Sequence, residues 1–118
     1  MRFSSLPRIP RMAAWCACAW LATTGLAAAA DDAQALKLGQ ELFSKSAVPA
    51  CALCHTMKNA GTEGAIGPNL DELKPDAKRV AQALRNGIGQ MPSYKGSLSD
   101  EQIAALALYV AKATGAAK

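Results

Sequence analysis

Cys51-Ala52-Leu53-Cys54-His55 is the stretch of this sequence whose residue types and spacing specify a chemistry. Two thiols three positions apart, followed at once by an imidazole, form the pattern for covalent haem attachment. Each thiol can add across one vinyl group of a porphyrin. A short helical turn then carries the next side chain over the ring face, where a nitrogen of His55 can reach the iron as a proximal ligand. Two other chemistries use the same residue types. Structural zinc almost always takes four protein ligands. This chain has a single His, and its other thiols, Cys16 and Cys18, lie in a segment expected to be removed. A thioredoxin-type redox pair needs strands and crossover helices around it, and that pattern is absent here. Haem is the favoured reading of the three.

The segment expected to be removed is residues 1–30, which read as a secretory signal. Arg2, Arg8 and Arg11 supply the basic start, residues 12–26 the apolar middle, and Ala28-x-Ala30 the small-residue cleavage site. The alternative is an uncleaved anchor, since residues 12–30 carry no charge over nineteen positions. That length is borderline for a bilayer, and much of it is weakly apolar alanine. Cleavage before Asp31 leaves an 88-residue domain, residues 31–118, in which Cys51 and Cys54 are the only thiols. Export suits the motif, because such chains receive their cofactor outside the cytoplasm, and the expected location is the periplasm.

Cleavage also removes three of the thirteen Lys and Arg, leaving ten against nine acidic residues. The two haem propionates would make the balance slightly negative. The basic precursor therefore gives no reason to expect a nucleic-acid or membrane partner. So small a chain buries limited apolar surface. Phe3 and both tryptophans lie in the leader, and Phe43, Tyr94 and Tyr109 are the aromatics beyond it. The macrocycle is expected to supply the missing core.

The elements that must position the motif are helical. Residues 33–44 read as a first helix with Ala35, Leu38, Gly39, Leu42 and Phe43 on one face. Asp31 or Asp32 could cap its start. Gly39 costs roughly 1 kcal/mol relative to alanine in a helix interior, which favours close approach by another helix over a merely tolerated glycine. Residues 57–70, rich in Gly and Pro, read as loop. Within them Pro68 offers a carbonyl to the second N–H of His55, the usual way a metal-bound imidazole is oriented, and Leu70 could pack on the ring. Residues 76–86 read as a middle helix lined by Ala77, Val80 and Leu84. The loop after it holds Met91 before Pro92. A thioether there would supply the sixth ligand, since Met1 and Met12 are in the leader and Met57 is too near His55. Residues 100–113 form the last helix, with Ser99 and Gln102 as a capping box. Its stripe of Ile103, Leu106, Ala107 and Val110 is expected to cross the first helix near Gly39, with Leu106 and Tyr109 beside the gap.

Together these residues resemble the class I c-type cytochromes, in the small bacterial branch near cytochrome c6 and the cbb3-oxidase subunit III domain. The markers are Gly39 and Phe43, Cys51-x-x-Cys54-His55, Gly67-Pro68-x-Leu70, Asn86-Gly87 before Met91-Pro92, and Leu106-x-x-Tyr109-Val110. The resemblance spans residues 33–115. It implies an all-α fold of about three to five short helices around one covalent haem c, His55 and Met91 as axial ligands, and the Pro68 carbonyl holding His55. Many relatives place a tryptophan near a propionate; residues 31–118 contain none. The sequence is also similar to small cytochrome subunits encoded beside periplasmic sulfite dehydrogenases.

The function expected is one-electron transfer in the periplasm between a redox-protein donor and acceptor, not catalysis. Lys58 and Lys95 could rim the haem edge and steer acidic partners, but the default reading is that they are solvated surface lysines. The rivals are a dedicated cytochrome subunit of a periplasmic dehydrogenase or oxidase, and an enzyme or gas sensor with an open iron site. An exposed apolar patch at the haem edge would favour the first rival over a mobile carrier.

Overall fold

The computed structural model describes residues 24–118, with side chains from Ala28 onward. Most of the expected signal segment therefore lies outside the described residues. Four α-helices carry the fold: α1 (Thr24–Glu41), α2 (Leu70–Leu73), α3 (Ala77–Asn86) and α4 (Asp100–Ala113). Two-residue strands β1 (Thr56–Met57) and β2 (Thr62–Glu63) pair antiparallel between the haem motif and α2. Among the described residues, no helix is long and apolar enough to cross a membrane.

Helix α4 is the centre of the packing, with α1 on one side and α3 on another. Ser99 accepts from the Gln102 backbone N–H at 3.1 Å, and the Gln102 side chain accepts from the Ser99 N–H at 2.9 Å. This reciprocal cap fixes where α4 starts, as its sequence predicts. Ile103, Leu106, Ala107, Tyr109 and Val110 are all buried.

Helix α1 starts well before residue 33. The alanines at 27–30 are the strongest helix formers available, and nothing before Asp31 breaks the turn. Asp31 and Asp32 therefore sit inside the helix rather than capping it, and Asp32 Oδ2 lies 3.9 Å from Lys112 Nζ on α4. At its other end α1 passes into a π-helical turn, Leu42–Ser46, closed by the Ala47 N–H on the Leu42 carbonyl at 3.1 Å. That turn places Leu42 and Phe43 in the core.

Gly39 is buried where α1 crosses α4. A Cβ built there would stand 2.5 Å from Tyr109 Cβ and closer still to the Ala105 carbonyl oxygen. The close approach expected from this glycine is present. Its partners are Ala105 and Tyr109; Leu106 turns to the cavity instead. Phe43 meets Tyr109 edge-to-face at 6.0 Å between ring centroids, a favourable aromatic geometry.

Residues 57–70 are more ordered than a loop. Thr62 Oγ1 donates to the His55 carbonyl at 2.8 Å and accepts from the Met57 N–H at 3.2 Å. Asp71, in the first turn of α2, accepts from the Lys58 N–H at 2.8 Å. Met57 is fully buried in this knot and does not line the cavity described below.

Candidate haem site

The motif turns as its spacing requires. Cys51–Leu53 form one 3-10 turn, and the N–H groups of Cys54 and His55 both bond the Cys51 carbonyl, at 3.1 and 3.0 Å. Both thiols and the imidazole thereby line a single cavity of about 630 Å³. Pro68, Leu70 and Met91 line the same cavity, so all six residues singled out from the sequence meet there. The volume lies within the usual range for small-molecule sites.

His55 is fixed from behind. Its Nδ1 lies 2.9 Å from the Pro68 carbonyl oxygen. A carbonyl can only accept, so Nδ1 carries the proton and the lone pair is left on Nε2. Gly67 makes this geometry possible. A Cβ there would stand 2.5 Å from His55 Cε1 and 2.8 Å from Nδ1. Gly64 does the same for the backbone beneath, its virtual Cβ falling 2.6 Å from the Cys54 carbonyl carbon. In the sequence both glycines read only as turn residues; nothing local signals that their missing side chains make room for the motif 10 or more positions upstream.

Met91 ends a tight hairpin in which Ile88 and Met91 exchange backbone hydrogen bonds at 3.0 and 2.9 Å. The loop is then tied at Tyr94. Its N–H bonds the Leu84 carbonyl at 2.7 Å, and its hydroxyl donates to the Pro49 carbonyl at 2.6 Å. One buried side chain thus joins the methionine loop to the segment entering the haem motif. Sequence reasoning missed this role, because the two partners are 45 positions apart. The second tyrosine, Tyr109, donates to Asn59 Oδ1 at 2.8 Å and anchors the 3-10 turn (Lys58–Ala60) to α4.

Lys58 and Lys95 are exposed, and neither lines the cavity. Its rim is apolar instead: Ile66, Leu73 and Ile88 line it while staying 69%, 37% and 69% exposed.

The donor set suits a flat apolar macrocycle with two reactive edges. Leu70, Leu84, Leu106 and Val110 supply apolar wall, and no Asp or Glu lines the cavity among the described residues. Zinc fits poorly, since no three His, Cys, Asp or Glu side chains converge on a metal position among the described residues. A redox-active dithiol fits no better. Burial, with some help from Cys54, pushes the Cys51 thiol up to about 11, whereas reactive pairs have a lowered value.

Comparison with known proteins agrees. Residues 34–110 match the family described as cytochrome C oxidase, cbb3-type, subunit III. A cytochrome c6 of Leptolyngbya boryana is 39% identical over 64 residues, covering 51% of this chain and 75% of that protein. A cytochrome c6 of Tetradesmus obliquus is 32% identical over 85 residues, covering 64% and 86%. The crystal structure of the c-type cytochrome SorU from Sinorhizobium meliloti superposes with a TM-score of 0.68 at 53% identity, covering 70% of this chain and 94% of that one. With two thiols, an oriented imidazole and an apolar cavity already placed by the fold, these matches show that the chain belongs to the class I c-type cytochromes, helical electron-transfer proteins that carry covalently bound haem c.

Proposed function

We propose that the mature protein, residues 31–118 after loss of a signal peptide, is a periplasmic one-electron carrier with His55 and Met91 as axial ligands. When bound, the haem supplies a reversible ferrous–ferric couple. Cys51 and Cys54 would hold it through thioethers. The observation that carries the reading is the 2.9 Å bond from His55 Nδ1 to the Pro68 carbonyl. It leaves Nε2 as the only nitrogen free for iron and strengthens it as a ligand. Met91 would be the second protein ligand, a soft, neutral sulfur, and a His/Met pair raises the potential of such a group. With both ligands in place the metal would offer dioxygen and peroxide no open site, and Leu70 would supply apolar wall beside the group.

The visible spectrum of wild type against Met91→Ala tests this. The wild type should be low-spin and inert to carbon monoxide; the variant should turn wholly or partly high-spin and bind it. An unchanged spectrum would mean a different distal ligand. Ready carbon monoxide binding by the wild type would replace the carrier role with that of an open-site enzyme or sensor.

A second reading has an observation of its own. The exposed Ile66, Leu73 and Ile88 at the cavity rim favour a subunit held to a periplasmic dehydrogenase, a sulfite dehydrogenase among them, or to an oxidase. Gel filtration of a native extract, followed by haem absorbance, separates the two. A carrier elutes alone; a subunit elutes with its enzyme.

A further inference from the structure

The haem reading leaves two porphyrin carboxylates to be accommodated, and the tryptophan that many relatives place near them is missing from residues 31–118. Helix α3 offers a different arrangement. Val80, Ala83 and Leu84 on one side of it are buried or half-buried, while Arg79, Gln82 and Asn86 on the adjoining side are exposed, yet all six line the cavity. Spacing of i, i+3 and i+7 puts the three polar residues on one flank. The helix thus runs along the cavity mouth, apolar side inward and polar flank toward water.

The charges single out one residue. Among the described residues, Arg79 is the only Lys or Arg on the cavity wall, and its guanidinium has no acidic partner within salt-bridge distance. Asp76, three positions before it, uses its carboxylate as the N-cap, accepting from the Arg79 backbone N–H at 2.8 Å. Arg85, on the same helix, is off the wall and paired with Asp100 at 3.3 Å. A carboxylate brought to an apolar cavity must find a cation and donors or take up a proton. Arg79 supplies the planar fork that a carboxylate fits, and the two amides supply further N–H groups.

We infer that this flank of α3 is the propionate site, with Arg79 as the charge partner of one haem carboxylate and Gln82 and Asn86 as donors at the same edge. The assignment rests on the haem reading above. Arg79 is a positioning residue here. It would keep that carboxylate ionised and, as a positive charge on the cavity wall, would disfavour the ferric state.

The test is the midpoint potential of the haem-loaded protein as a function of pH, for wild type, Arg79→Met, Arg79→Lys and Lys78→Met. Among the described residues the other titratable groups on the wall are Cys51 and Cys54, which are thioethers in this reading, His55, bound to iron in it, and Tyr94, whose hydroxyl burial raises well above neutrality. The carboxylates are therefore what titrates near neutrality. Arg79→Met should lower the potential and raise the carboxylate's proton affinity about tenfold or more, moving the pH-dependent rise in potential to higher pH. Arg79→Lys should recover part of the shift. Lys78→Met removes the same charge from the neighbouring position, which is off the wall, and should leave the profile in place. Equal profiles for Arg79→Met and Lys78→Met, shifted or not, would overturn the assignment while an intact spectrum kept the haem reading. A wild type without a haem spectrum would overturn both.

Discussion

An imidazole that binds metal through one nitrogen needs the other held still, and at His55 two neighbours share that task. The Pro68 carbonyl accepts a hydrogen bond from the Nδ1–H, and Gly67 lets the backbone lie flat against the ring. The ring cannot retreat from an added methyl without leaving the carbonyl. Gly67→Ala should therefore destabilise the holoprotein by about 1–3 kcal/mol, the usual range for overpacking, and broaden or shift its low-spin spectrum. Thermal melts followed in the haem band read both effects; an unchanged melt and spectrum would show that His55 has slack. Tyr94 gives a pH prediction. Burial first, then Cys51 and Cys54, raise its hydroxyl from 10.0 to about 12. The folded state prefers the neutral form, so this contribution to stability is complete below pH 10 and disappears as pH rises toward 12. In the haem-loaded protein the sulfurs carry no charge, so burial alone sets the upper limit of that window. Denaturant midpoints across this range should fall with pH, and fall less steeply in Tyr94→Phe, which loses the bond to Pro49 but has nothing to ionise.

At the scale of elements, the α1–α4 crossing decides the geometry of the whole wall. Gly39→Ala should gain roughly 1 kcal/mol of helix propensity and lose more, because the new methyl meets backbone oxygen and Cβ atoms that cannot rotate away. A net loss of about 1–2 kcal/mol is expected, measured by chemical denaturation; a stabilised variant would mean that the helices can part at little cost. Ser99→Ala should cost about 1 kcal/mol through loss of the cap. These two elements were also the most legible in the sequence. The bounds of α4 follow from its cap and stripe, and Gly39 announces its contact by being costly where it stands. Helix α1 starts earlier than residue 33 because four alanines before Asp31 suit a peptidase site and a helix equally well. The pairing of β1 and β2 had no periodic signal to read in strands of two residues. Side-chain bonds such as Tyr94 to Pro49 and Tyr109 to Asn59 join positions 45 and 50 apart, and no window along the chain contains both partners. By contrast, the convergence of the six expected residues on one cavity was legible, because the motif calls for a proximal ligand, its orienting carbonyl and a distal ligand, and the chain offers few residues able to serve.

For the molecule as a whole, the cavity is the dominant energetic fact. An empty cavity costs about 24 cal/mol per Å³ in packed cores. This cavity, of about 630 Å³, opens to solvent at the exposed Ile66 and Ile88, and a marginally stable domain could not keep such a space dry and empty. Filling it with water instead leaves Leu70, Leu84, Leu106 and Val110 wetted, which forfeits their burial at about 1.5–3 kcal/mol each. Either way, a chain with three aromatics beyond its expected leader has no reserve to absorb the loss. Holding the four helices around nothing is then unfavourable, and attachment of the cofactor is coupled to folding, as for other small metal-dependent domains. Circular dichroism of a Cys51→Ala/Cys54→Ala variant produced without haem should show less helix than the holoprotein and a broad thermal transition without a sharp midpoint. Removing two thiols cannot by itself explain such a loss, since Cys54 is only half-buried and Cys51 to Ala deletes one atom. Equal helicity with a sharp transition would show that the protein chain alone closes this core, and that the haem is a guest in a finished fold.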